Sequence, residues 1–258
     1  DATVTHLAAV TRLRLWTHGA RVEVERYLPH HLEPGQPQVV FLHGWGMSHA
    51  GYRTSLQLIA IRGARVDAYA LPGYSGSTPL PVRACGLTDH ARRVAAALEQ
   101  AAYDGPVHVV GHSFGGGIAL SVAATRPDLV DRVTAVCPIG GAGQGPTPWP
   151  HLVRTFLTDG GTAGLTGFVR SFAPAARRSP LTLAATGLAA RRADLTAELA
   201  AAKRHNVPVH LVLADRDTVV PPGPMVHPVF GARLSMVRGS HSWPHQDPRG
   251  FADRVLCE

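Results

Sequence analysis

The chain has 258 residues, 25 Lys and Arg against 18 Asp and Glu (formal charge +7), and is 45% hydrophobic and 17% charged. That balance excludes an intrinsically disordered chain, and the length suffices for an α/β domain whose core needs neither disulfides nor a structural metal. Cys85, Cys137 and Cys257 lie far apart with no C-x-x-C spacing, which speaks against a thiolate zinc site or a dense disulfide framework. The basic excess is scattered arginine, with Lys203 the only lysine and short clusters at Arg177–Arg178 and Arg191–Arg192, so a nucleic-acid partner is not expected. No run of about 18 apolar residues is free of Gly, Pro and charge, so no membrane span is expected.

In chain order, Leu13 to Trp16 and Arg21 to Tyr27 alternate around His18-Gly19 and predict an antiparallel hairpin. Gln38 to Leu42 and Arg65 to Ala70 read as buried strands. Thr88 can cap a helix that sets Ala91, Val94, Ala95, Leu98 and Ala102 on one face. Val107 to Val110 is the next strand, followed by a helix that begins after Ser113 and stops at Arg126-Pro127. A further strand lies within Val130 to Ile139. The strand–helix order then breaks. Residues 140–205 hold Gly- and Pro-rich turns and short helical pieces, the clearest from Asp194 to Arg204 with Lys203 and Arg204 at its C-terminal end. Strands return at Pro208 to Leu213 and Arg233 to Val237, and a helix over Pro248 to Leu256 closes the chain. The repeated β-α-β order predicts a mostly parallel sheet with helices on both faces. Residues 1–139 and 206–258 form its core, with 140–205 as an insertion.

Gly111-His-Ser-Phe-Gly115 fits G-x-S-x-G, with a predicted strand running into it and a predicted helix leaving it. Such a nucleophile elbow lifts the Ser113 hydroxyl above the sheet edge, and the flanking glycines leave room where a Cβ would clash. The helix N-terminus behind it favours developing negative charge. Together with His43-Gly-Trp-Gly46 after the first parallel strand and Leu71-Pro-Gly-Tyr-Ser-Gly-Ser77 after the second, this run resembles the α/β-hydrolase superfamily, in its serine esterase and carbon–carbon hydrolase branches.

The resemblance implies the α/β-hydrolase fold, with the 140–205 insertion as a helical cap. A serine hydroxyl needs a general base, and fifteen histidines compete for that role. The Gly-Ser-His run after the last strand resembles the family's histidine loop and implies His241, with His245 the runner-up. Ala214-Asp-Arg-Asp-Thr-Val-Val-Pro221 resembles the loop carrying the acid and implies Asp217, with Asp215 the competitor. His112 is expected to point away from Ser113, and His43 to shape the oxyanion loop. The oxyanion hole is expected from the backbone N–H groups of Trp45 and Phe114. Substrate-facing candidates are His43, Gly44, Trp45, Phe156, Phe168, Phe172 and Val219.

These residues lead to the expectation of a serine hydrolase that cleaves a small-molecule ester with an apolar group, without metal or organic cofactor. The alternatives are carbon–carbon, thioester or amide cleavage on the same triad, or a receptor that turns over slowly. Asp in place of Ser113 would mark an epoxide hydrolase or dehalogenase. A homodimer is left open. No leader is visible, which points to the cytoplasm; the chain starts at Asp1 without Met, so the N-terminus is trimmed and secretion stays open.

Overall fold

A computed structural model describes residues 8–31, 33, 35–141, 161–222 and 231–256. The hairpin is formed by β1 (Ala9–Thr17) and β2 (Ala20–Leu28), joined through His18 (φ 48°) and Gly19 (φ 75°). Positive φ at both central residues is what a two-residue hairpin turn demands. The hairpin continues into β3 (Gln38–Leu42), β4 (Arg65–Tyr69), β5 (Val107–His112), β6 (Val130–Val136), β7 (Val209–Ala214) and β8 (Arg233–Val237). The eight strands form one sheet in the order β1-β2-β4-β3-β5-β6-β7-β8, antiparallel at β1/β2 and β2/β4 and parallel elsewhere.

The inner parallel strands β3 to β7 are largely buried on both faces because helices cover both, whereas the edge strand β8 is mostly exposed. Val39, Phe41, Val66, Ala68, Val110, Val136 and Val212 pack with Leu56, Ile59, Phe251 and Val255 of helices α1 (Arg53–Ile61) and α7 (Pro248–Leu256). The alternate residues along these strands, Val40, Leu42, Val109, Ala135 and Leu211, pack on the opposite face. There they meet α2 (Leu87–Gln100), α3 (Phe114–Thr125) and α6 (Thr196–Arg204). Between β6 and α6 lie α4 (Gly161–Arg178) and α5 (Pro180–Arg191). Leu195 and Leu199 join the core beneath α3.

The sheet and its helices are those of the α/β-hydrolase fold. One local expectation is corrected: Thr88 does not cap α2. The cap lies two residues earlier, at Gly86, whose N–H donates to the Asp89 carboxylate at 3.1 Å. Asp89, at the third helical position, satisfies that end better than a hydroxyl already inside the helix. At α6 the Asp194 carboxylate accepts from the Thr196 N–H at 2.9 Å, so Asp194 caps the helix from outside. Among the described residues no helix is long and apolar enough to cross a membrane.

Candidate active site

Ser113 sits at the apex between β5 and α3 with φ 55° and ψ −116°, a backbone conformation that L-residues rarely hold and that costs of order 1–3 kcal/mol. The surrounding backbone enforces it. A Cβ on Gly111 would stand 2.2 Å from the Gly115 carbonyl oxygen, and one on Gly115 would stand 2.2 Å from that of Leu42. The Ser113 N–H donates to Val136 C=O at 2.9 Å, which fixes the apex against β6.

The His241 ring lies between two partners. Its Nε2 is 2.9 Å from Ser113 Oγ and its Nδ1 is 2.8 Å from Asp217 Oδ2. All three residues are buried. The other carboxylate oxygen of Asp217 accepts from the N–H groups of Val219 (2.9 Å) and Val220 (2.8 Å), so the loop's own backbone orients the acid. A carboxylate held in this way keeps the proton of the ring on Nδ1 and leaves the Nε2 lone pair facing the hydroxyl. Asp215 plays a different part. It accepts from the Gly239 N–H at 2.9 Å and faces Arg216 at 3.7 Å, tying the acid loop to the histidine loop.

The remaining candidates fall around this line. The His43 ring is fully buried and both its nitrogens are engaged. Nδ1–H donates to Gly44 C=O at 2.9 Å, and Nε2 accepts from the Leu71 N–H at 3.1 Å. Burial pushes this imidazole down to about 3, so it braces the loop as a neutral ring. His245 reaches neither Ser113 nor Asp217. It bonds Gly51 C=O at 3.0 Å, packs on Tyr52, and is pushed by burial down to about 4. His112 points away from Ser113, toward Tyr52 and the His241 carbonyl.

The loop after β3 passes close to the elbow: a Cβ on Gly44 would touch Ser113 Cβ at 3.4 Å. The Trp45 side chain runs outward between the helices, its Nε1–H donating to Leu183 C=O of α5 at 3.1 Å and its ring meeting Phe172 of α4 edge-on at 5.6 Å. Phe168 stacks on Phe172 at 5.0 Å and covers Gly46 so closely that a Cβ there would stand 2.6 Å from its ring. Gly44, Trp45, Phe168 and Phe172 are thus grouped over the loop beside Ser113. Val219 contributes its backbone to Asp217. Phe156 lies outside the described residues.

Three further residues have partners that the sequence does not announce. Tyr74 accepts the Gly46 N–H at 2.8 Å and holds the loop from below. Tyr52 reaches His112 from 60 residues away. Cys137 lies at φ 43° with its Sγ, a carboxylate oxygen of Asp217 and a ring nitrogen of His241 all within 4.8 Å of one another. Burial and then the Asp217 charge push that thiol well up, so it stands there as neutral S–H.

A family model described as the alpha/beta hydrolase family matches residues 39–254, and the chain belongs to that family. It is 29% identical over 84% of its length to a protein of Mycobacterium phage D29 whose name assigns it provisionally to the non-heme haloperoxidases, of which it spans 85%. It is 34% identical over 101 residues, 39% of this chain and 37% of the other, to the pimeloyl-[acyl-carrier protein] methyl ester esterase of Methylococcus capsulatus. Several curated relatives are therefore matched over less than half of their own length. Among solved structures, a serine hydrolase involved in carbazole degradation superposes with a TM-score of 0.75 at 20% identity, over 96% of this chain and 98% of that one, a likeness of fold.

Proposed function

We propose that this alpha/beta hydrolase is a serine esterase acting on small-molecule esters with an apolar acyl or alcohol group, with Ser113 as nucleophile, His241 as general base and Asp217 as the acid that orients it. The single observation carrying the reading is the His241 ring, hydrogen-bonded to Ser113 on one nitrogen and to Asp217 on the other at 2.9 and 2.8 Å.

His241 Nε2 takes the hydroxyl proton as Ser113 Oγ attacks the ester carbonyl, and Asp217 stabilises the imidazolium so formed. The neighbouring rings of His43, His112 and His245 are all kept neutral by burial, so they add no positive charge against that imidazolium. The tetrahedral oxyanion is received by the N–H groups of Trp45 and Phe114, the latter opening α3, whose N-terminus adds positive potential. One such donor is worth about 3 kcal/mol of transition-state stabilisation. His241 then protonates the leaving alcohol, and water, activated by the same base, releases the acid and restores Ser113.

Residues 140–205 serve as the lid of this site. The aromatic rings of Phe168, Phe172 and Trp45 gather beside the oxyanion loop and favour an apolar substrate group. The ester specificity accords with a relative named as a methyl ester esterase. Replacing Ser113 by Ala is the test. Turnover of p-nitrophenyl esters is expected to vanish while the thermal unfolding curve is kept; retained turnover would refute the assignment.

A further inference from the structure

We propose that Tyr52 and His112 act as a positioning relay that holds the His241 loop and the oxyanion loop at a fixed distance from Ser113. The inference rests on the hydrolase reading above, because it assigns a role to two side chains in assembling that site.

The sheet order leaves a gap for such a device to span. Ser113 follows β5 and the oxyanion loop follows the adjacent β3, but His241 follows β8, three strands from β5. At about 4.8 Å per strand, the histidine loop must arch back roughly 14 Å over β6 and β7 to reach the elbow. Among the described residues no strand ladder joins β8 to β5 or β3. The side chain of His112, the residue before Ser113, spans that gap: its Nε2 is 2.9 Å from the His241 carbonyl oxygen.

The polarity of the relay follows from its ends. A carbonyl only accepts, so Nε2 of His112 carries the proton. The ring is fully buried, and burial followed by the nearby His241 and His245 keeps it neutral. Its Nδ1 is therefore a lone pair, and the Tyr52 O–H, 2.7 Å away, donates to it. The Tyr52 oxygen in turn faces the Gly44 N–H at 3.4 Å, where the oxyanion loop begins. The hydrogen-bonded chain thus runs from Gly44 N–H through the Tyr52 and His112 side chains to His241 C=O, buried throughout. Neighbouring ties fasten the next turn of the same loop: Ser55 Oγ–H donates to Pro244 C=O at 2.9 Å and His245 to Gly51 C=O at 3.0 Å. Of these three ties, the relay is the one that reaches the backbone of His241 itself.

Tyr52→Phe removes the hydroxyl and keeps the ring packed against Phe41 and His245. It takes the Tyr52 donor from His112 Nδ1 and leaves the ring tied only at its Nε2 end, to the His241 carbonyl. With p-nitrophenyl acetate, kcat is expected to fall about tenfold with KM within about twofold, as when the catalytic groups shift while substrate binding is preserved. His112→Gln is expected to lower kcat at least as far. The double variant is expected to fall no further than His112→Gln, because both changes break one chain. Imidazole ¹⁵N spectra at pH 7, with His112 assigned by its absence in His112→Gln, should show that ring as the Nε2–H tautomer in the wild type, with its Nδ1 resonance moving in Tyr52→Phe as the lone pair loses its donor. An unchanged kcat in Tyr52→Phe, additive losses in the double variant, or an Nδ1–H or charged His112 in the wild type would each overturn the relay. Absence of wild-type ester turnover would instead sink the hydrolase reading, and the tautomer spectra would still decide the relay.

Discussion

Replacing Gly115 by Ala perturbs the elbow at its tightest point. The added Cβ would lie 2.2 Å from Leu42 O, 2.6 Å from Leu42 C and 2.7 Å from His43 O, where real Cβ contacts seldom fall below 3.0–3.4 Å. All three atoms belong to the backbone at the end of β3, so no side-chain rotation relieves the overlap, and α3 and the oxyanion loop must separate by about 1 Å. Overpacking of this kind costs about 3 kcal/mol, the upper end of its usual range. For a chain of this size that lowers the melting temperature by roughly 6–12 °C. On the proposed oxyanion hole, the same movement draws the Trp45 N–H away from the reacting carbonyl, and a misplacement of about 1 Å lowers kcat roughly 100-fold. Gly19→Ala is the control. Its Cβ meets nothing within 4 Å, and its φ of +75° costs only about 1–2 kcal/mol of backbone strain, far from the site. Circular dichroism melts and p-nitrophenyl ester kinetics on the two variants measure both effects. A Gly115→Ala protein that melts no lower than Gly19→Ala and keeps its kcat would refute the packing argument.

Asp217→Asn is expected to lower kcat by about 10³–10⁴-fold, since an amide cannot hold the required tautomer of His241. Asp215→Asn should cost less than tenfold, because its side chain holds the Gly239 N–H and leaves His241 alone; the reverse ranking in steady-state assays would exchange their roles. Asp67→Asn is expected to destabilise the fold by about 2–3 kcal/mol, discounting the buried-pair cost for partly exposed arginines, as measured by urea unfolding. Burial pushes the Asp67 carboxyl up, but hydrogen bonds from Arg26 and Tyr103 and the charges of Arg65 and Arg26 outweigh it and hold it below its usual value. A depressed carboxyl stabilises the fold above its unfolded value, so this contribution should be complete at neutral pH and drain away as pH falls below about 4. Acid unfolding of the wild type and Asp67→Asn should therefore converge at low pH, and a constant gap would contradict this.

Much of this architecture is legible in the sequence because its rules are local. Gln38 to Leu42 reads as a buried parallel strand since both its faces meet helices, and Gly111 and Gly115 announce the elbow since any Cβ there collides with backbone. Asp217 and His241 are named by the resemblance of the loops after β7 and β8 to those of the family, and in the fold His241 bonds Ser113 on one side and Asp217 on the other. What escapes is long-range. The pinning of Gly46 by Tyr74 and the reach of Tyr52 to His112 depend on contacts across 28 and 60 residues, and neither the Leu71–Ser77 motif nor a lone tyrosine names such a partner. His43 reads as a pocket residue from its place beside Gly44-Trp45, but its nitrogens are taken up by Gly44 and Leu71 once β3 and β4 pair. The start of α2 is missed for a simpler reason: a glycine can stand at the cap when an aspartate three residues later supplies the acceptor.

The covalent step is what the central claim requires, and intact-mass spectrometry observes it directly. The protein is quenched in acid during turnover of a short-chain p-nitrophenyl ester, and the adduct is located by peptide mapping. One acyl group on Ser113, absent from Ser113→Ala, is the predicted result. Turnover that proceeds with an acyl group on another residue, or with the same adduct on Ser113→Ala, would contradict the account.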